Sequence, residues 1–580
     1  MSQSTVRLPS RGKGSTTRHE KVVGQSFWSS QKIWSIGTLV ICAMVALPVL
    51  TVLTLTVGNN ENIWSHLAST VLPHYLKTTA LLMLGVGVGT FVIGVSTAWL
   101  TAMCQFPGKR IFEWALLLPL AMPAYIVAFV YTDLLEFAGP VQSGLRSLFG
   151  WQTGADYWFP EIRSLGGAIA MMTLTLYPYV YLLTRASFLE QSVCVIEVSR
   201  TLGCTPLQSF RRVALPLARP AIVIGLALVL MEALNDFGTV DFFGVQTFTA
   251  GIYDVWLNMN SVAGAAQLAT VLLAFVIGLI VLERWARGKR QYQHTTNHIR
   301  RLPSYKLKGA RARGAFIACL TPIALGFVVP AWVLLNYALT HYEATLEADY
   351  LAYLGNSLLL SGTAAVIALG IGLFLAYSVR VAGSPFIAAA SRFAAIGYAV
   401  PGAVLAVGIM VPLGAFDNST DAFFRSAFGI STGLLLSGTL VAVTFGYVVR
   451  FVALSFGAAE ASLSKISHSM DGAARTLGAG PMGTLRRLHF PIIRASLLAG
   501  TMLVFVDGMK ELPMTVILRP FNFETLATFV HQYASDELLE EAALGAISIV
   551  GVGIIPVILL SIGMRLSRPG LGKHRDMARC

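Results

Sequence analysis

The sequence predicts an all-α, multi-pass membrane protein of about 12 transmembrane helices, arranged as two parallel six-helix repeats. Three observations predict it. Of the 580 residues, 55% are hydrophobic and only 12% are charged, against roughly a quarter charged in soluble domains. Apolar runs of about 20 residues, the length that crosses a hydrocarbon core, recur along the whole chain. A polar, basic stretch also occurs twice. Arg200, Thr201, Leu202, Gly203, Pro206, Arg211, Arg212, Pro216 and Arg219 each recur 275 positions later without a gap, which marks an internal duplication.

Taken in order, residues 1–32 are basic and Ser/Thr/Gly-rich without apolar periodicity, and read as a disordered tail. The run from Trp34 to Val57 is too long for a signal-peptide core and is expected to stay as the first membrane helix. Eleven more spans follow, at about 79–103, 111–134, 165–184, 220–237, 263–283, 315–340, 357–379, 393–415, 433–454, 495–512 and 542–564. The chain thus divides into a first half (33–283), a linker (284–314), a second half (315–565) and a short tail (566–580). Pro123 echoes Pro401, Tyr179 echoes Tyr447, and Glu232 with Asp236 echoes Asp507 with Glu511. Small residues crowd several spans, as in Gly85–Gly89, and suit close helix packing.

The net charge of +13 would suit nucleic acid if it were clustered on one soluble face. Instead, with the N-terminus inside, 36 of the 42 Lys and Arg residues fall in cytoplasmic segments, as the positive-inside rule requires. Both termini are therefore expected in the cytoplasm. No nucleic-acid partner is expected. The acid-free linker from Arg284 to Gly314 could touch anionic lipid. The six cysteines show no zinc-type spacing and none falls in an outer loop.

Each basic island lies between the fourth and fifth spans of its half. In each, a glycine suited to a left-handed helix stop is followed three residues later by a proline suited to a first helical turn. A second proline, Pro216 or Pro491, opens the next apolar helix. This pattern resembles the EAA loop of ABC-importer permeases: Glu197-Val-Ser, Gly203 and Val213-Ala-Leu215-Pro216 in one copy, Gly472-Ala-Ala, Gly478 and Leu488-His-Phe490-Pro491 in the other. The resemblance implies an inner-membrane permease subunit that docks its loops on ATP-binding subunits, two copies of them, and receives solute from a periplasmic binding protein. It assigns ATPase coupling to Glu197, Arg200, Gly203 and Pro216, and to Asp471, Arg475, Gly478 and Pro491. Gly472 replaces the acid in the second copy, and Asp471 lies one residue earlier, about 100° around a helix.

No GxxxxGK[ST] motif occurs, so ATP hydrolysis is expected of a separate chain. No cofactor and no catalytic cluster is expected, which sets a membrane enzyme aside. A secondary transporter would have no use for the paired loops. Ionisable residues near membrane depth include Glu113, Asp133, Glu232, Asp236, Asp507, Lys510 and Glu511, and such groups usually face a bundle interior or water. Asn235-Asp236 and Lys510-Glu511 read either as the translocation path or its gate, or as helix-end caps. The stretches Lys510–Thr528 and Ala233–Gly244 resemble ferric-iron permeases, as does the fusion of two halves. Iron is the expected solute, with thiamine or another small solute as the alternative. His66 and His74 are too isolated to count as a metal site.

Overall fold

The computed structural model describes residues 16–58, 69–190, 203, 205–287, 305–347 and 349–566. Among these are twelve helices long and apolar enough to cross a membrane. In the first half they are Lys32–Val57, Leu72–Met103, Ala124–Phe149, Leu165–Leu189, Pro206–Asn235 and Val262–Glu283. In the second they are Ala310–Thr340, Tyr350–Ala382, Gly402–Phe428, Leu440–Leu463, Pro481–Met509 and Leu539–Leu559. They are numbered one to twelve below. The chain is an all-α polytopic membrane protein, and among the described residues its strands are the two-residue pieces Cys104–Gln105 and Tyr305–Lys306, paired in parallel.

Two differences from the sequence reading have local causes. The first helix begins at Thr16, not near residue 33, because the stretch ahead of the apolar run contains no proline to stop it. The third and ninth spans are interrupted. The chain runs helically through Lys109–Ala115 and Leu118–Ala121, breaks, and resumes at Ala124. It does the same through Pro385–Ala394 and Ala395–Ala399 before Gly402. The break falls at Pro123 (φ −57°, ψ 141°) and Pro401 (φ −57°, ψ 142°). Proline pushes the preceding residue out of helical geometry, and Met122 and Val400 are both extended.

The halves are interlocked. The first span packs on the eighth and ninth, in the other half. Trp34 stacks on Phe374 with centroids 4.7 Å apart and meets Tyr377 edge-on at 5.1 Å. The seventh span in turn lies against the third, fourth and twelfth. There the Tyr131 hydroxyl donates to the Leu325 carbonyl (2.8 Å) and the Tyr337 hydroxyl to Asp133 Oδ2 (2.7 Å). The first span reaches the ninth so closely that a Cβ on Gly408 would run into the Pro48 carbonyl. The obstruction is backbone, which cannot swing aside.

Gly408→Leu should therefore force the two halves apart. Overpacking of a tight core costs about 1–3 kcal/mol, so the purified variant should melt several degrees below wild type in detergent, by intrinsic fluorescence. Gly414→Leu, where a Cβ meets nothing within 4 Å, should melt like wild type.

Candidate functional site: two basic loops and a shared cavity

In the basic loops the backbone follows the residue types closely. Gly203 and Gly478 have φ of +80° and +82°, left-handed geometry that β-branched residues resist. The helix His468–Thr476 stops there, with the Gly478 N–H on the Arg475 carbonyl (2.9 Å). Pro206 and Pro481 then open the short helices Pro206–Ser209 and Pro481–Thr484. Thr205 and Gln208 close a capping box in the first copy. A wide turn follows in each, Phe210–Ala214 and Leu485–His489, where the N–H of Leu215 or Phe490 bonds five residues back. This widening directly precedes Pro216 and Pro491, whose rings would otherwise clash with the carbonyl four residues earlier.

Among the described residues of these basic loops, Leu207, Leu477 and Met482 are the most exposed apolar side chains, at 58%, 87% and 61%. Glu197 and Arg200 lie outside the described residues. Asp471 does not face outward with the apolar tips. It is buried, and its carboxylate accepts from Arg380 Nε and meets His489 Nε2, each at 2.8 Å. Arg380 also donates to the Leu463 and Ile466 carbonyls. Burial pushes the Asp471 carboxyl up, the Arg380 and His489 hydrogen bonds pull it down, and the lowering prevails. Asp471 thus ties the loop to the end of the eighth span. The one-residue offset from the motif position is what turns it inward.

The second site is a cavity between the halves. From the first come Tyr125, Tyr179, Glu232, Asn235 and Asp236; from the second, Tyr398, Arg450, Asp507, Lys510 and Glu511. The fifth and eleventh spans end here, inside the bundle, and each leads into a short helix, Gly238–Phe242 or Pro513–Leu518. Asp236 accepts from Thr239 N (2.9 Å), Thr239 Oγ1 (3.0 Å) and Val240 N (3.4 Å). Glu511 accepts from Met514 N (3.0 Å), Thr515 N (3.1 Å) and Thr515 Oγ1 (2.8 Å). The matched carboxylates therefore both cap interior helices and line one cavity. Asn235 Oδ1 accepts from Arg450 Nη1 (2.8 Å) and Gly402 N (2.6 Å), across the two halves. Arg450 also pairs with Glu511 at 3.5 Å, and Lys510 with Asp507 at 3.0 Å.

Sequence reasoning singled out Asn235, Asp236, Lys510 and Glu511 but missed Arg450, Tyr179 and Tyr398 as cavity residues. The spacing of Glu232 from Asp236, one helical turn, was the available signal for the further acid on the same face. Arg450 ends an apolar stretch and read as a basic residue at the inner edge of the tenth span. Among the described residues no group of three or more His, Cys, Asp and Glu could hold a metal ion.

Residues 90–289 match the family model of the binding-protein-dependent transport system inner membrane component. The Fe(3+)-transport system permease protein FbpB 2 of Haemophilus influenzae is 27% identical over 491 residues, 84% of this chain and 89% of its own. A probable ABC transporter permease protein, y4fN, of Sinorhizobium fredii is 23% identical over 510 residues, 83% of this chain and 85% of its own. The molybdenum transport system permease protein ModB of Escherichia coli is 28% identical over 205 residues, 34% of this chain but 86% of its own. Twelve apolar helices and paired glycine-proline loops accompany these matches, and over most of its length the chain is similar to ABC transporter permease proteins. The similarity to the Haemophilus protein runs over most of both chains, whereas that to ModB covers about a third of this one.

Two outcomes follow for the loops. Gly203→Val and Gly478→Val should each abolish ATP-driven uptake with the protein still inserted, since left-handed geometry costs a side chain about 1–2 kcal/mol. Gly478→Asn should keep most uptake, because asparagine tolerates that geometry. Separately, Asp471→Asn should uncouple ATP hydrolysis from uptake, because it leaves the Arg380 charge buried and unpaired, at a cost of about 3–5 kcal/mol. Adding Arg380→Met should recover part of the loss; if the double variant is as poor as the single one, the pair does not hold the loop.

Proposed function

We propose that this permease carries ferric iron across the inner membrane, handed over by a periplasmic binding protein. A separate ATP-binding subunit, present in two copies, docks on the two basic loops. The first loop engages it through Glu197, Arg200 and Gly203, and the second through Arg475 and Gly478. Leu207, Leu477 and Met482, apolar and exposed on otherwise basic loops, support this docking, since a partner surface would remove them from water. The basic surplus of the N-terminal tail, the linker and the two loops supports cytoplasmic loops and cytoplasmic termini. The duplication supports two permease halves, 33–283 and 315–565, joined by the basic linker 284–314.

The observation that carries the iron reading is the charge of the cavity. Four carboxylates, Glu232, Asp236, Asp507 and Glu511, line it against two cations, Arg450 and Lys510. Both cations are already paired with acids. Carboxylate and tyrosine oxygens suit a hard trivalent ion; Met122 is the one sulfur in the wall. Ferric transport is also named for several relatives. Arg450 and Lys510 favour a second reading, an oxyanion, since other relatives are named for sulfate and for molybdenum transport. Their engagement with Glu511 and Asp507 leaves little positive field for an anion.

The test is uptake by the full importer in proteoliposomes, with radiolabelled ferric iron and molybdate in parallel. Iron should accumulate and molybdate should not. Asp236→Asn and Glu511→Gln keep hydrogen-bonding side chains at the caps while removing charge, so each should slow iron uptake several-fold without weakening capture of the binding protein. Wild-type rates in both and in the double variant would place these carboxylates outside the path.

A further inference from the structure

Resting on the ferric-iron reading, we infer that Glu232 is the carboxylate that receives the passing cation, and that Lys510 is a resident competitor that limits its stay. Of the four acids in the cavity wall, three are engaged. Asp236 and Glu511 hold the N-termini of interior helices, and Asp507 is paired with Lys510 Nζ at 3.0 Å. The Glu232 carboxylate makes no hydrogen bond or close ion pair among the described residues, although it faces the same cavity; the charges of Arg450 and Lys510 act on it only from farther off.

The difference comes from one position in the repeat. Glu232 and Asp507 are matched, but the lysine that neutralises Asp507 has Asn235 as its counterpart, and Asn235 is turned to Arg450 and Gly402. Tyr179 and Tyr398 stand in the same wall. Two wall groups from nine-tenths-buried residues, the Tyr125 hydroxyl and Arg450 Nε, have no hydrogen-bond partner among the described residues.

A cation entering the cavity loses water and must be met by fixed negative charge. Glu232 offers it without first breaking another bond. The cation then lies beside the Lys510–Asp507 pair, and repulsion drives the ammonium off Asp507, lending a second carboxylate. When the ammonium returns, it competes with the cation and favours release. Conduction requires binding that is favourable yet brief, and one free acid beside one neutralised acid meets both conditions.

The experiment uses the full importer with its ATPase and binding protein, and reads radiolabelled iron uptake together with ATP hydrolysis. Glu232→Gln should lower uptake about tenfold, with binding-protein-stimulated ATP hydrolysis unchanged. Glu232→Asp, which keeps the charge, should stay within about threefold of wild type. The discriminating variant is Glu232→Gln/Lys510→Gln: it frees Asp507, so uptake should recover at least about threefold over Glu232→Gln. A merely structural role for Glu232 would not be rescued by removing a neighbouring lysine. Wild-type uptake in Glu232→Gln, or no recovery in the double variant, overturns the inference while leaving the iron reading standing. A wild-type importer that takes up molybdate and not iron overturns both.

Discussion

A buried guanidinium is the constraint around which the cavity is arranged. Arg450 is almost wholly enclosed, and an unpaired charge at that depth would cost more than a single mutation normally does. It is met by Asn235 from the first half and Glu511 from the second. Asn235 in turn accepts from the first amide of the ninth span, Gly402 N. The same side chain that neutralises Arg450, Glu511, also caps the helix Pro513–Leu518. The ends of three spans, the break at Pro401 and one short interior helix are thus positioned by a single buried network. Gly402 has no side chain for a steric reason, since a Cβ there would meet Arg450 Nη1 and Glu511 Oε1.

The duplication gave the two halves equal scaffolds and unequal chemistry. The scaffold matches to within a degree or two at Pro123 and Pro401, and at Gly203 and Gly478. The wide turns before Pro216 and Pro491 match as well. The register that aligns Tyr179 with Tyr447 puts Leu182 opposite Arg450, and the register of the two loops puts Asn235 opposite Lys510. Backbone features tolerate little drift, because a proline or a positive φ fixes local geometry whatever surrounds it. Charges in the shared cavity act on one common volume, so they need only sum correctly across both halves. That freedom allows one half to supply the cations and the other to leave a carboxylate unengaged.

Interlocking the halves has a mechanical consequence. The first span belongs by sequence to one half and packs on the eighth and ninth spans of the other; the seventh does the reverse. Relative movement of the halves must carry these spans along, and the cavity lies where the halves meet. At the second basic loop, Arg380 and Asp471 fasten the loop to the end of the eighth span, which contacts the first span. A push on the loop therefore reaches the interface between halves through side chains that are packed rather than through a flexible linker.

The sequence alone determined the twelve spans, their division by a duplication and the backbone of the basic loops. Apolar run length, proline, and glycine act locally, and each constrains the backbone near itself, so they are legible without a partner. It also marked Asn235, Asp236, Lys510 and Glu511 as unusual, because polar groups in apolar segments stand out. Only the tertiary structure decided what these groups touch. It turned Asp471 inward, made capping and cavity lining the same property of Asp236 and Glu511, and brought Arg450 from another span to Asn235. It also separated Glu232 from Asp507, which are equivalent in the repeat, by which of them Lys510 pairs with. Which charge neutralises which depends on distances across elements hundreds of residues apart, and those distances exist only once the helices have packed.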